Sequence, residues 1–194
     1  MNKPFSSEEF YCRVAQNLDL LEYIDRIREY SERDYLTGLW NRRYLFCHGP
    51  KMLAHGRRNG GSSALALVDI DYFKGVNDQY GHDVGDAVLE QVAAILQAHF
   101  GNKWCVVRLG GEEFCVLLNE SPKNVEQLFN CFREEIYTTR IAVGSAEVSI
   151  TVSVGVCESA VISLEQMISC SDKQLYLAKN EGRNQVRMNS CCDS

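Results

Sequence analysis

The chain has 194 residues, 45% of them hydrophobic and 24% charged, and a net charge of −6. That is one domain plus an appendage with material for a real core, and its acidic balance argues against a nucleic-acid surface, which is built from clustered Lys and Arg. Apolar runs such as Ala64 to Val68 fall far below the ~18 residues of a membrane span, and Met1-Asn2-Lys3-Pro4 leads into no signal-peptide core, so no membrane contact by this chain and a cytoplasmic location are expected.

Residues 6 to 33 read as a helix. Phe10, Val14, Leu18, Leu21, Ile24 and Ile27 recur at three- and four-residue steps, and Glu22 and Arg26 form an i,i+4 pair. This N-terminal helical extension, residues 1–33, is too short to argue strongly for a coiled coil, so packing on the domain and pairing with a second copy are both open. From Asp34 the character changes. Leu36-Thr37-Gly38-Leu39-Trp40-Asn41 is turn-rich, and Asn41 suits the N-cap of a helix starting at Arg42. Ser62 to Asp71 is a nearly continuous apolar strand, as expected for one covered on both faces. A polar, glycine-bearing tract to Asp86 and a helix from about Ala87 to Phe100 follow, the latter with Val88, Val92, Ile95 and Leu96 as its buried stripe.

Residues 104 to 118 read as a β-hairpin with Gly110-Gly111-Glu112-Glu113-Phe114 at its tip. Ser121-Pro122 starts a helix to about Tyr137, and Val148 to Cys157 alternates as a strand. Ser163 and Gln166 form a capping box for a last helix to about Asn180, and Gln185 to Met188 is a short final strand. The domain is thus expected to run from 34 to 188, followed by a flexible tail over 189–194. The nine cysteines lie scattered without a C-x-x-C pair, which fits reduced thiols rather than zinc or a disulfide framework; Cys191-Cys192 falls in the tail.

Two readings of the hairpin tip compete. The plain one is that Gly-Gly supplies positive φ and the glutamates are solvated; the other is that adjacent acids serve metal or phosphate chemistry. Asp69-Ile70-Asp71 ends the most buried strand, where ligands commonly meet α/β sheets. Asp69 with Glu112 or Glu113 would make an oxygen-ligand cluster suited to Mg²⁺, whereas Asp71 is the better candidate for merely capping the next turn. Lys74 and nearby backbone amides can bind phosphate, and Asn77 and Asp86 offer an amide and a carboxylate to a planar heterocycle such as guanine.

Six ordered strings carry a resemblance. They are Asp34-x-Leu-Thr-Gly-Leu-x-Asn41-Arg42-Arg43, Asp69-x-Asp71-x-Phe73-Lys74-x-x-Asn77-Asp78, Gly81-His82-x-x-Gly85-Asp86, Arg108-x-Gly110-Gly111-Glu112-Glu113-Phe114, Ser153-x-Gly155 and Tyr176-x-Ala178-Lys179-x-x-Gly182-Arg183-Asn184. From about Asp34 to Val186 the chain resembles the GGDEF family of bacterial diguanylate cyclases. The resemblance implies an α/β (α+β) fold, palm-like and ferredoxin-related, with a mixed five-stranded sheet flanked by helices. It also implies condensation of two GTP into cyclic di-GMP with loss of two pyrophosphates, across a homodimer.

Carried over by position, the resemblance implies a metal held by Asp69, the Ile70 carbonyl and Glu112, with Glu113 as a further ligand or as base for the 3′-hydroxyl; Mg²⁺ is the expected ion, Mn²⁺ an alternative. Lys74, Lys179 and Arg183, with the backbone around Phe73, would hold the triphosphate, and Asn77 and Asp86 would read guanine. Lys179 and Arg183 are four residues apart, one helical turn. Two departures stand out. Glu112 replaces the family name's Asp and keeps the carboxylate. Where many members carry an Arg-x-x-Asp product-inhibition site, this chain has Gly101-Asn102-Lys103-Trp104, so no such site is expected.

The rivals are a non-catalytic module that binds GTP or cyclic di-GMP as a receptor, and a metal-dependent hydrolase prompted by His82-Asp83. The hydrolase needs further His and Asp ligands, whereas His48, His55 and His99 lie in unrelated helical contexts; a P-loop GTPase is disfavoured because no G-x-x-x-x-G-K-[S/T] occurs. The residues before Asp34 are too few for a sensory domain, so control is expected from a fused or separate regulatory domain, from a partner or from the chain's own concentration.

Overall fold

The structure is a computed structural model that describes residues 7–58, 61–144 and 146–190. The chain divides into two compact units, Met1–Arg33 and Asp34–Ser194. The first is one helix, α1, Ser7–Glu32. Exposed Phe10, Val14 and Leu18 follow the expected steps, but exposed Tyr11, Leu20 and Tyr23 lie off that line. The apolar residues therefore ring the helix instead of forming one narrow stripe. The side chains of Leu21, Glu22, Ile24, Arg26 and Ile27 lie outside the described residues, as do Cys191 and Cys192 of the tail.

In the second unit β1 (Trp40–Asn41) leads into α2 (Arg42–Arg58), whose Tyr44 amide donates to Asn41 Oδ1 at 3.1 Å, the N-cap bond expected of Asn41. β2 (Ser63–Ile70), α3 (Phe73–Tyr80), α4 (His82–Phe100), β3 (Cys105–Gly110), β4 (Glu113–Leu118) and α5 (Val125–Thr138) follow. A small hairpin, β5 (Ile141–Val143) with β6 (Ala146–Val148), precedes β7 (Val152–Ser159), α6 (Leu164–Asn180) and β8 (Val186–Ser190). The main sheet has the order β1-β3-β4-β2-β7-β8. It is mixed: β1 runs parallel to β3 and β8 to β7, while β2 is antiparallel to both neighbours. The α/β class and the mixed sheet are as the sequence implies, with six strands instead of five because the two-residue β1 adds an edge.

Side-chain alternation on β2 divides the core. Ala64, Ala66, Val68 and Ile70 point into the layer with α4 and α5, and Leu65 and Leu67 into the layer with α2 and α6. Every residue of β2 is buried, which is why its sequence is apolar on both faces. Phe100 of α4 packs on Phe129 and Phe132 of α5 with ring centroids 4.8 and 5.7 Å apart, pinning the two helices together.

Four stretches differ from the sequence reading. Strand β8 runs on to Ser190, pairing Asn189 and Ser190 with Cys157 and Glu158, so these two residues belong to the sheet and not to the tail. The tract after Asp71 is not a loop: α3 and α4 occupy it, broken only at Gly81, whose φ of 89° ends one helix and opens the next. Helix α5 begins at Val125, since Pro122 sits in a turn whose carbonyl accepts from the Val125 amide at 3.2 Å. The run from Val148 to Cys157 is split, with Val148 in the separate β5–β6 hairpin and Val152 onward in the main sheet.

Gly155 has a packing role. A Cβ there would lie 2.2 Å from the Leu175 amide nitrogen and from the Ser171 carbonyl oxygen, both backbone atoms of α6. The missing side chain lets α6 settle on β7, and the Ser171 hydroxyl, donating to the Leu65 carbonyl at 2.8 Å, ties the same turn to β2. Gly155→Ala is expected to cost about 3 kcal/mol of unfolding free energy, read by urea denaturation, because backbone atoms cannot turn aside as a side chain can.

Candidate functional site

The site begins where β2 and β4 end together. Their register sets Asp69 directly opposite Glu113, and Asp69 is also opposite Ser153 of β7. Both acids alternate onto the α6 layer, with Leu67 and Cys115 as their inward neighbours. Opposed like charges repel at this spacing. Asp69 is 5% exposed, and Lys179, in the last turn of α6, places Nζ 2.8 Å from its Oδ2. Burial pushes the Asp69 carboxyl up, the hydrogen bond and charge of Lys179 pull it down, and the charges of Glu112 and Glu113 push it up again; the net direction is up.

The hairpin turn is held from outside. Gly110 and Gly111 have φ of 141° and 56°, which favour glycine, and the register slips between Arg108 and Gly110 in a bulge. The plain reading of Gly-Gly, that it supplies positive φ for the turn, therefore holds. Arg108 donates from Nε and Nη2 to the Gly111 carbonyl at 3.1 and 2.9 Å, and from Nη1 to Asp34 Oδ1 at 3.0 Å. The Thr37 amide and hydroxyl donate to the same oxygen at 2.9 and 2.7 Å. Asp34 and Arg108, taken from the sequence as motif letters without roles, form a clamp on the turn that carries Glu112.

Asp71 proves structural. It is 4% exposed, accepts from the Thr151 and Ser153 hydroxyls at 2.6 and 2.7 Å, and takes the Asn184 backbone amide at 3.1 Å. Arg133 of α5 donates to Asn184 Oδ1 at 2.8 Å. These bonds hold Arg183 and Asn184 at φ of 62° and 46°, left-handed conformations costing about 1–2 kcal/mol each for residues with a Cβ.

The remaining expected residues lie on α3 and α4. Phe73 is buried in the core, so only its backbone can serve a ligand; Lys74 is exposed beside it. Tyr72, which caps α3, makes no side-chain hydrogen bond to the first amides of that helix, whose donors favour an anion. Asn77 Oδ1 sits 1.9 Å from where a Cβ on Gly85 would be, so Gly85 lets the two helices close until Asn77 and exposed Asp86 share one rim. His82 opens α4 and stands in no metal cluster. Among the described residues no three His, Cys, Asp or Glu side chains converge on one point, and Asp69 faces Lys179. A groove of about 390 Å³ between α2 and α6, lined by Arg42, Phe46, Ile168 and Asp172, ends at Glu113.

Carboxylates, a lysine and a helix start thus lie at one end of a mixed sheet. The chain belongs to the GGDEF family: the model described as "Diguanylate cyclase, GGDEF domain" matches residues 31–185. It is 32% identical to the diguanylate cyclase DosC of Escherichia coli over 181 residues, 90% of this chain and 39% of DosC. Among solved structures, the coiled coil and GGDEF domain of DgcB from Caulobacter crescentus, in complex with c-di-GMP, superposes with a TM-score of 0.84 at 28% identity, covering 94% of this chain and 98% of that one. The active GGEEF domain of a diguanylate cyclase from Vibrio cholerae gives a TM-score of 0.69 at 29% identity, covering 76% of this chain and 96% of that one. The chain spans about half or less of the length of the curated relatives it matches. No described helix is long and apolar enough to cross a membrane.

The two site aspartates titrate in opposite senses. Burial raises the Asp34 carboxyl, but the Thr37 and Arg108 hydrogen bonds outweigh it and the net shift is down, so its contribution is present above the ordinary value of 3.8 and lost as pH falls through the folded value. The raised Asp69 contributes below 3.8 and loses that contribution as pH rises through its folded value, leaving a buried charge that opposes folding. Asp69→Asn is therefore expected to raise the melting temperature at pH 7.5, with the gain vanishing near pH 4. Asp34→Ala is expected to cost about 1–3 kcal/mol at neutral pH, a loss that shrinks under acid. Thermal melts across pH check both.

Proposed function

We propose that this chain is a diguanylate cyclase that joins two GTP molecules into cyclic di-GMP with release of two pyrophosphates. The observation that carries the reading is the pairing of buried Asp69 with Glu113 across β2 and β4, with Lys179 on the Asp69 carboxylate. The names of the relatives add support, most directly the active GGEEF domain of the Vibrio cholerae protein, which shares the Glu in place of Asp.

In this reading Asn77 and Asp86 grip the Watson–Crick edge of guanine. Asp86 accepts from N1–H and the exocyclic amine, a pair that adenine cannot offer. Lys74, Arg183 and the first amides of α3 take the β- and γ-phosphates, and Lys179 exchanges Asp69 for phosphate oxygen. Asp69, the Ile70 carbonyl, Glu112 and Glu113 would hold Mg²⁺, or Mn²⁺ in its place; the set is all oxygen, as a hard ion requires, and the repulsion felt at Asp69 is what such a cation relieves. The ion would supply charge neutralisation at the α-phosphate. Where Glu113 is not a ligand, it is the base that receives the proton of the attacking 3′-hydroxyl. The new bond joins that oxygen to the α-phosphorus of the second GTP as the bond to pyrophosphate breaks, and the reciprocal step closes the ring.

One site holds one GTP, so two copies must face each other and the productive species is a homodimer. The likeness to the DgcB coiled coil and GGDEF domain covers 94% of the chain, more than residues 34–194 supply, which supports α1 as the element that pairs copies. Regulation in this reading comes from a further domain or a partner. At the place of the Arg-x-x-Asp site, Lys103 lies over the Trp104 ring at 4.7 Å, and the Arg and Asp of that site have no counterpart in the sequence.

Purified protein incubated with GTP and Mg²⁺ is expected to yield cyclic di-GMP by chromatography. GTP binding without cyclic product from concentrated, folded protein identifies a receptor instead. Glu113→Ala is expected to slow turnover at least about 100-fold, and Asp86→Ser to weaken the preference for GTP over ATP in competition.

A further inference from the structure

Tyr72 is exposed yet is not idle. It stands at φ 57° and ψ 26°, a left-handed conformation unusual for an aromatic residue, with 71% of its surface open to solvent. The Arg183 guanidinium carbon lies 4.5 Å from the centroid of its ring, and Arg183 Nη1 donates to its hydroxyl at 3.2 Å. Core packing does not account for a residue so exposed, and a helix cap does not either, since its side chain makes no cap bond.

The contact belongs to a two-residue grip. Asp71 and Tyr72, consecutive after β2, hold Asn184 and Arg183, consecutive after α6. Buried Asp71 fixes the Asn184 amide, and exposed Tyr72 takes the Arg183 side chain. Arg183 has its own left-handed backbone, so its direction of exit is set before any ligand arrives. A guanidinium stacked on a ring keeps its N–H edge in the plane, pointing past the ring, and gives up rotamer freedom in advance of binding.

We propose that Tyr72 is a positioning residue for the polyphosphate end of the nucleotide, pre-ordering Arg183 by stacking so that the guanidinium meets the β- and γ-phosphates at reduced entropic cost. This rests on the GTP reading above and adds a determinant of phosphate-chain affinity in the residue between Asp71 and Phe73. The stacking ring matters more than the hydroxyl, whose single hydrogen bond is solvent-exposed.

The test is equilibrium binding of 3′-deoxy-GTP, which cannot attack, and of GMP, to the full chain in Mg²⁺ by competitive displacement of a fluorescent guanine nucleotide. Tyr72→Ala keeps a Cβ at the left-handed position, so the backbone demand is unchanged, and is expected to weaken 3′-deoxy-GTP about fivefold while leaving GMP unchanged. Tyr72→Phe is expected to stay near wild type. In an Arg183→Ala background, Tyr72→Ala is expected to change nothing further, because the two act as one unit. Wild-type affinity for 3′-deoxy-GTP in Tyr72→Ala, equal weakening of GMP, or additive losses in the double variant would each overturn the proposal. Absence of cyclic product from wild-type protein that binds 3′-deoxy-GTP would instead overturn the cyclase reading and leave the Tyr72 measurement standing.

Discussion

Everything at this site depends on two carboxylates forced together by strand register. Asp69 and Glu113 have no choice of distance: six successive pairs from Ala64–Leu118 to Asp69–Glu113 lock β2 against β4, and the last pair sets acid against acid. Packing gives no reason to bury Asp69 there, since a buried charge costs more than its partner returns unless the geometry is excellent. Lys179 supplies the compensation by reaching from α6, so the helix is as much a part of the site as the strands. The arrangement stores electrostatic repulsion that a bound cation would relieve.

Around that pair the other motif residues divide into those that hold and those that face outward. Arg108 joins the Gly111 carbonyl to Asp34, and thereby fixes the turn bearing Glu112 to the segment that opens the domain. Asp71 joins β7 to the loop after α6. Each holder is charged, sheltered from solvent and satisfied several times over, the condition under which a buried polar group adds specificity without a large penalty. Lys74 and Asp86, the groups proposed to meet the nucleotide, are exposed instead.

Much of this was legible in the sequence, and the gaps have physical causes. Strand β2 could be read because burial on both faces leaves only apolar residues; Asn41 and the Ser163–Gln166 box could be read because caps act within a single turn. The tract from Gly75 to Asp86 misled because glycine serves two opposed ends. Gly81 breaks a helix through its φ, whereas Gly85 stays helical and is small so that Asn77 can approach. Composition cannot separate these; only the neighbour in space does. The partners of Asp34, Asp71 and Arg108 likewise lie across the fold, 74 residues away for Asp34 and Arg108 and 113 for Asp71 and Asn184, beyond any local pattern. Tyr72 gave no signal at all, since a surface tyrosine in a polar tract reads as ordinary.

The loop at 183–184 shows how the holders and the outward-facing groups are coupled. Two residues with side chains sit in left-handed conformations there, and such strain persists only where surrounding bonds over-determine it. Those bonds come from Asp71 and Arg133, one on each side. Relaxing the loop to ordinary φ would relieve it of a few kcal/mol but would break the Asn184 amide bond and swing Arg183 off Tyr72. The strain is thus spent on direction: it aims a cation that helix geometry alone, ending at Asn180, would leave trailing into solvent. Lys179 is aimed by the helix and Arg183 by the strained turn beyond it, so two cations one helical turn apart in sequence approach the same carboxylate-lined end by independent means.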